Sequence, residues 1–357
     1  MGKCGFSRYA LALLLLALMV LAAGCSNQNS DKNNEGTIHH ETDNPFEVND
    51  EETGIMGSMV HGFDNPEVDE NEEMLPIPYH GGELKIDYSV AASGKAKNVG
   101  FLIFVDGIPQ PYKFNTTEAP YEYMHILDLE EDDKETPFTF VFTPITGKQG
   151  DTLDVNITSV YNPAFMPDMK ETSSYGGYHS TLQSLGSLVF EKDADVLEAS
   201  SIPKKDYLRN VRLSTEPVTK ELLEKHEKHS AMKIDLETLE KLVINEVNFD
   251  GDRAMNVDNL QVNDNGTLHV TFKLFGHPGI HYQNTFYINH QALATVDGDT
   301  SFETTLAKGE VSVIDVEIDL ERLEDFNTFY VVSVPTNTAD FPDNAFLLKS
   351  ESVLLYK

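Results

Sequence analysis

The chain has 357 residues, with 59 acidic against 26 basic side chains, a formal charge of −33 and two cysteines. That balance disfavours nucleic acid as a partner and electrostatic docking on anionic lipid, and two cysteines exclude a disulfide scaffold. With 40% hydrophobic residues over this length, the chain can build two cores of its own.

At the N-terminus, Met1 to Tyr9 carries Lys3 and Arg8 and no acid, and Ala10 to Leu21 is an unbroken apolar run. A run of about a dozen residues has the length of a signal-peptide core and falls short of the ~20 that span a bilayer. Small residues Ala22, Ala23 and Gly24 then lead into Cys25. The stretch Leu21-Ala22-Ala23-Gly24-Cys25 resembles the lipobox of bacterial lipoproteins, with Ala22 where the best form of the motif has Leu. The resemblance covers the leader alone. It implies removal of residues 1–24, lipid of the palmitate type on Cys25, and a mature chain held at the extracytoplasmic face of a cell membrane. Loss of Lys3 and Arg8 takes the charge to about −35, and Cys4 leaves with the leader, so no thiol nucleophile or Cys-based metal site remains.

Residues 25–75 are rich in Asn, Asp, Glu, Ser and Gly with isolated apolar residues, and read as a disordered acidic tether. A coil of roughly 50 residues would span about 40 Å root-mean-square.

From Pro76 the texture changes. Glu83–Val90 alternates apolar and polar, as a half-buried strand does. Val99–Val105 is continuously apolar, a more deeply buried strand, and it ends at the turn dipeptide Asp106-Gly107. Phe138–Thr143, Leu153–Val160 and Ser187–Phe190 complete a first antiparallel β-sandwich over 76–200. Residues 201–246 read as a short helical connector. Pro217 suits a first helical position, Val218, Leu222, Leu223 and His226 share one face, and Asp235–Val243 is a second helix capped by Asp235. Strands resume over 247–357 at Leu268–Leu274, Thr285–Ile288, Glu310–Leu320, Phe329–Val334 and Ser352–Tyr356. The fold class expected is therefore all-β: two antiparallel immunoglobulin-like sandwiches. A duplication is expected too, because Ile157-Thr-Ser-Val160 and Val331-Val-Ser-Val334 are each followed by a polar bend and Pro-Asp.

Catalytic templates are missing: no G-x-S-x-G elbow, no phosphate-binding loop, no dinucleotide fingerprint. His226-Glu-Lys-His229 sets two imidazoles at i,i+3 with the acid misplaced for a zinc protease, and reads as an exposed polar helix face. The long loop after Leu153–Val160 holds the ligand-binding candidates Tyr161, Met166, Met169, Tyr175, Tyr178 and His179. His80 joins them if the first strand lies beside that loop. Met166, Met169 and His179 are donors that suit copper. Asp250, Asp252 and Asp258 are hard oxygen donors that suit calcium, but without the spacing of a calcium loop. No cofactor is expected, with copper or calcium as alternatives.

These features point to a lipid-anchored, non-catalytic binding or scaffolding protein of the cell envelope, with the membrane and another envelope protein or a glycan as partners. The alternatives are a copper-type carrier using Met and His, and a glycan-binding surface lipoprotein, the latter weakened by the absence of Trp. An enzyme with an unrecognised carboxylate site is the remaining class.

Overall fold

Alternating and continuous apolar runs become strands whose facing decides where each sheet is buried. The computed structural model describes residues 57–166, 179–198, 200–228, 230–250 and 259–357, all within one compact unit, Asp50–Lys357. The leader, Cys25 and most of the expected tether lie outside the described residues.

The first sandwich pairs a four-stranded and a six-stranded sheet. One runs β1 (Met59–Phe63), β3 (Leu84–Ala92), β8 (Thr136–Phe142), β6 (Lys113–Phe114). The other runs β2 (Ile77–Tyr79), β10 (Thr181–Phe190), β9 (Thr152–Tyr161), β4 (Asn98–Val105), β5 (Ile108–Gln110), with β7 (Ile126–Asp128) also on β4. In the second sandwich the order is β11 (Leu208–Pro217), β18 (Glu310–Asp319), β14 (Thr267–Gly276), β12 (Val243–Phe249). Facing it are β13 (Asn259–Gln261), β21 (Val353–Tyr356), β19 (Phe326–Pro335), β15 (His281–Ile288), β16 (Gln291–Ala292). There β17 (Phe302–Thr305) adds to β15 and β20 (Leu348–Lys349) to β19.

All ladders are antiparallel except two: β2 runs parallel to the last strand of its sandwich, β10, and β13 runs parallel to β21. A first strand that leaves one sheet and rejoins the other beside the last strand is the immunoglobulin-like arrangement, and both halves have it. Both turn from β4 to β5 and from β15 to β16 through two residues of positive φ, Asp106 (51°) with Gly107 (74°) and Asn289 (49°) with His290 (62°). Mirror-image two-residue turns match the twist of the strands they join. Counting from these turns, Ile157 pairs with Ile103 and Val331 with Phe286, so Ile157–Val160 and Val331–Val334 occupy the same places. The two halves therefore share strand order and register.

Three expectations change. Inside the segment read as tether, β1 forms and pairs with β3, because Met59 and Phe63 pack on the first core; isolated apolar residues carried no period that would announce it. The connector is only partly helical. Pro217 ends β11 opposite Glu310, and the single described α-helix, α1, spans Lys220–Glu227 with Thr219 accepting from the Leu222 N–H at 3.2 Å. Asp235 is not a helix cap: its carboxylate accepts from the Thr238 N–H at 2.9 Å beside one 3-10 turn, Thr238–Glu240, whose N-cap is Glu237, before β12 begins at Val243. Finally, β11 lies beside β18 where β6 lies beside β8 in the first half, so the second sandwich begins near residue 208. A register shift between Arg209 and Arg212 breaks its alternation and hid it.

The faces of β4 explain its unbroken apolar run. Val99, Phe101, Ile103 and Val105 enter the first core, while Leu102 and Phe104 point the other way and are equally buried. What covers them is the second sandwich.

Candidate functional site

The two sandwiches meet sheet to sheet. Leu102, Phe104 and Val160 from one half pack with Tyr287, Tyr330, Val332 and Val334 from the other, all at 1% exposure or less. Equivalent strands contribute from each side and run in opposite senses. The turn glycine Gly107 sits so close to β15 that a methyl there would lie 2.8 Å from the Gln283 Cβ. Thr338 donates to Asp154 across the same end at 2.7 Å. At the other end His290, in the matching turn, donates from Nε2 to the Pro163 carbonyl at 2.7 Å. The contact is thus a local two-fold, each half offering the same sheet.

One end of this junction gathers a polar cluster that no motif announces. With Nε2 donating, His290 Nδ1 accepts from the Tyr330 hydroxyl at 3.1 Å. The Tyr330 ring stacks on Tyr287 at 5.1 Å and carries the Lys349 ammonium 4.6 Å from its centroid. Lys349 also donates to Ser352 Oγ at 2.8 Å, and His179 Nδ1 lies 3.0 Å from the same oxygen. The His179 and His290 rings are 5.7 Å apart. Burial favours neutral forms: it pulls His290 down to about 4, His179 to about 2, aided by the charge of Lys349, and Lys349 itself to about 7. A serine between a lysine and a histidine has the ingredients of a base-activated nucleophile. Here Ser352 is 1% exposed and its hydroxyl accepts from Lys349, so the group acts as a pin between the halves.

Of the predicted site residues, His179 belongs to this pin and Tyr161 sits half-buried at the end of β9 against the first core. Met166 is 55% exposed nearby in sequence, while Met169, Tyr175 and Tyr178 lie outside the described residues. The expected convergence of His80 with His179 does not occur. His80 follows β2, which joins β10 at Phe190, whereas His179 precedes Thr181 at the opposite end; ten strand residues separate them by roughly 30 Å. His80 instead lies exposed, 2.9 Å from the Glu191 carboxylate. Asp250 is turn chemistry, its φ 48° and its carboxylate accepting from the His269 N–H at 3.3 Å, and Asp252 and Asp258 are outside the described residues. Among the described residues no three His, Cys, Asp or Glu side chains are grouped to hold a metal ion.

His226 departs from its expected exposed helix face. It is 8% exposed, edge-on to Phe275, and its Nε2 lies 2.9 Å from the Glu246 carboxylate. Strand β12 carries that carboxylate under α1, which explains why the apolar side of a short helix includes an imidazole.

Beside the junction lies a cleft of about 680 Å³, lined by Lys113, Tyr121, Glu122, Ile202, Lys205 and Gln291 among others. The first sandwich, the segment after it and the second sandwich each supply a wall. Lys113 is fixed by Glu83 at 2.7 Å and by the Tyr121 ring, 4.7 Å from its ammonium. Lys205 stands over Tyr207 at 5.6 Å. Two lysines, an aromatic face and an amide on a concave surface can hold a ligand with both an anionic group and a flat or apolar face. Sequence reasoning missed this site because its walls come from three distant segments.

No family model matches the chain, and no curated protein matches it in sequence. Among solved structures, the fibronectin(III)-like modules of Clostridium thermocellum CbhA align at 10% identity over 83% of this chain and 93% of theirs, TM-score 0.19. Dpr2 Ig1-Ig2 in complex with DIP-Theta Ig1-Ig3 gives 7% identity over 83% and 99%, TM-score 0.21. A 1.5-MDa bacterial ice-binding adhesin gives 11% over 84% of this chain and 65% of that one, TM-score 0.20. Similarity at these scores carries no argument, and the fold rests on the strand order itself.

Proposed function

We propose that the chain is a lipid-anchored, extracytoplasmic binding or scaffolding protein of a bacterial cell envelope, without catalytic activity. One observation carries the binding role: two sandwiches are locked sheet to sheet, so the cleft between them is preformed and a ligand meets no cost of assembling it. The leader ending in Cys25 supports the address, and the acidic surface keeps the folded part off an anionic envelope. Among the described residues no helix is long and apolar enough to cross a membrane. Two experiments test the reading. Mass spectrometry of the native protein should find an N-terminal Cys25 carrying fatty chains; an intact Met1 refutes the anchoring. Cross-linking in envelope preparations should give a defined adduct that disappears in the Lys113→Glu/Lys205→Glu double variant. An adduct insensitive to both changes moves the contact surface away from the cleft.

A further inference from the structure

β1 is an edge strand that ties the two sheets of the first sandwich together. Along its backbone it pairs with β3 over Met59–Phe63, and with no other described strand. Its side chains reach the opposite sheet. Phe63 lies against β10, where a methyl on Gly186 would meet its ring at 2.7 Å. His61 goes deeper, among Tyr88 from β3, Phe101 from β4 and Ser159 from β9, all fully buried. Beyond these contacts the strand holds little: Met59 and Phe63 are only partly buried, and Val60 is 65% exposed.

The hydrogen bonds of His61 fix its charge as well as its place. A carbonyl can only accept, so Nε2 carries the proton it donates to the Leu182 carbonyl of β10 at 3.1 Å, with Ser159 Oγ also at 3.1 Å. Nδ1 is then the bare nitrogen and accepts from the Tyr88 hydroxyl at 2.6 Å. A second proton on Nδ1 would displace that bond and leave a charge among groups that cannot balance it. Those facing the ring are the Tyr88 phenol, the Phe101 ring, the Ser159 hydroxyl and the Leu182 carbonyl, and burial pushes the phenol far up, so it stays neutral. Asp64 and Asp87 meet beyond Phe63 and bond neither nitrogen in a described contact. Burial accordingly pulls His61 from 6.5 to about 4, against a smaller opposing effect of the Leu182 carbonyl.

We propose that β1 is an acid-released strap: protonation of His61 detaches Met59–Phe63 and bares the edge of β3, while the rest of the sandwich stays in place. The attached strand binds fewer protons than the free one, so attachment is full above pH 6.5 and weakens as pH falls towards 4. From pH 7 to pH 4.5 the ratio of detached to attached strap should rise about fiftyfold. The neighbours have ties of their own. β3 keeps β8 over Leu84–Val90, and the segment after β1 is held by the Val68–Met74 bridge and by β2 on β10. Released, residues 57–64 add about 25 Å of extended chain to whatever precedes them. Their use as extra reach rests on the membrane anchoring proposed above; the release itself does not.

Amide hydrogen exchange of the full-length chain, corrected for the intrinsic effect of pH, tests the strap. Protection of Met59–Phe63 should fall about fiftyfold from pH 7 to pH 4.5, close to tenfold per pH unit over the lower part of that range. Peptides from β8 and β14 should keep theirs. His61→Gln can donate to Leu182 and accept from Tyr88 but cannot titrate, and its strap should stay equally protected at both pH values. His290→Gln, at the junction between the halves, should leave the strap's response as in the parent. A parent strap equally protected at pH 7 and pH 4.5 overturns the proposal. So does a loss that His61→Gln shares, that His290→Gln abolishes, or that β8 and β14 undergo with β1. Where His61→Gln already lacks protection at pH 7, the parent's slope decides: a one-proton dependence supports the strap, and a steeper one overturns it.

Discussion

Glu246 concentrates more electrostatic work than any acid the sequence singled out. Its carboxylate lies almost out of solvent, 2.7 Å from Lys225, 2.9 Å from His226 and 2.6 Å from Asn248. Burial alone would raise its pKa, but the three hydrogen bonds outweigh that and hold it at about 2. A carboxyl whose folded pKa is depressed adds stability that is full above its ordinary value near 4.5 and fades as pH falls towards 2. Glu246→Gln keeps the shape and removes the charge, leaving Lys225 without its counter-ion and His226 without its carboxylate partner. We expect a loss of about 3 kcal/mol at pH 7, read as a lowered melting temperature. The gap between variant and parent should close below pH 4. A constant gap down to pH 2 would mean that shape, not charge, is what the residue supplies. In sequence Glu246 was one of 59 acids, with nothing to mark it. His226 was noticed, but for the wrong neighbours: its partner is on a strand twenty residues on, not on its own helix.

At the level of elements, legibility followed burial. Strands β3, β4, β8, β9, β14, β18 and β19 carry long period-two or continuous apolar runs because one or both faces are covered, and their spans were readable within a few residues. Edge elements were not. In β11, Leu208 alone is buried, and Arg209, Asn210 and Arg212 give the segment a polar, basic look. Yet it supplies the strand beside β18, and after it Val218 and the α1 residues Leu222 and Leu223 pack over Phe275, Val311 and Val313. The segment read as a connector is therefore part of the second sandwich's structure. A fragment of residues 206–357 should unfold cooperatively in urea. One of 247–357, the boundary that sequence alone suggests, should lack a sharp transition and bind a dye for exposed apolar surface, because β18 loses its neighbour and Phe275 its cover. Equal cooperativity in the two fragments would return β11 and α1 to the role of linker.

For the whole molecule the decisive surface is the one between the halves, foreshadowed in sequence only by the two-sided apolar run of β4. Side chains fully withdrawn from water on both sheets make separation costly, so heating at pH 7 should give one transition for both sandwiches. Phe104→Ala removes a ring at the centre, at a cost of about 3 kcal/mol, and should split that transition in two. Acid should act on the same surface. His179 and His290 are held near 2 and 4, chiefly by burial, against 6.5 when free. The separated state therefore binds protons that the joined state refuses, and the junction weakens as pH falls from 6.5 towards 4. Lys349, near 7, is charged through that whole window and faces both the Tyr330 ring and Ser352, so its charge adds to the cost of protonating His179. Glu351 opposes it by favouring the charged lysine without reaching either imidazole in a described contact. His290→Gln can still donate to Pro163 and accept from Tyr330 but cannot titrate. That variant should keep a single transition to lower pH than the parent does. If parent and variant split at the same pH, or neither splits above pH 4, the histidines do not govern the junction.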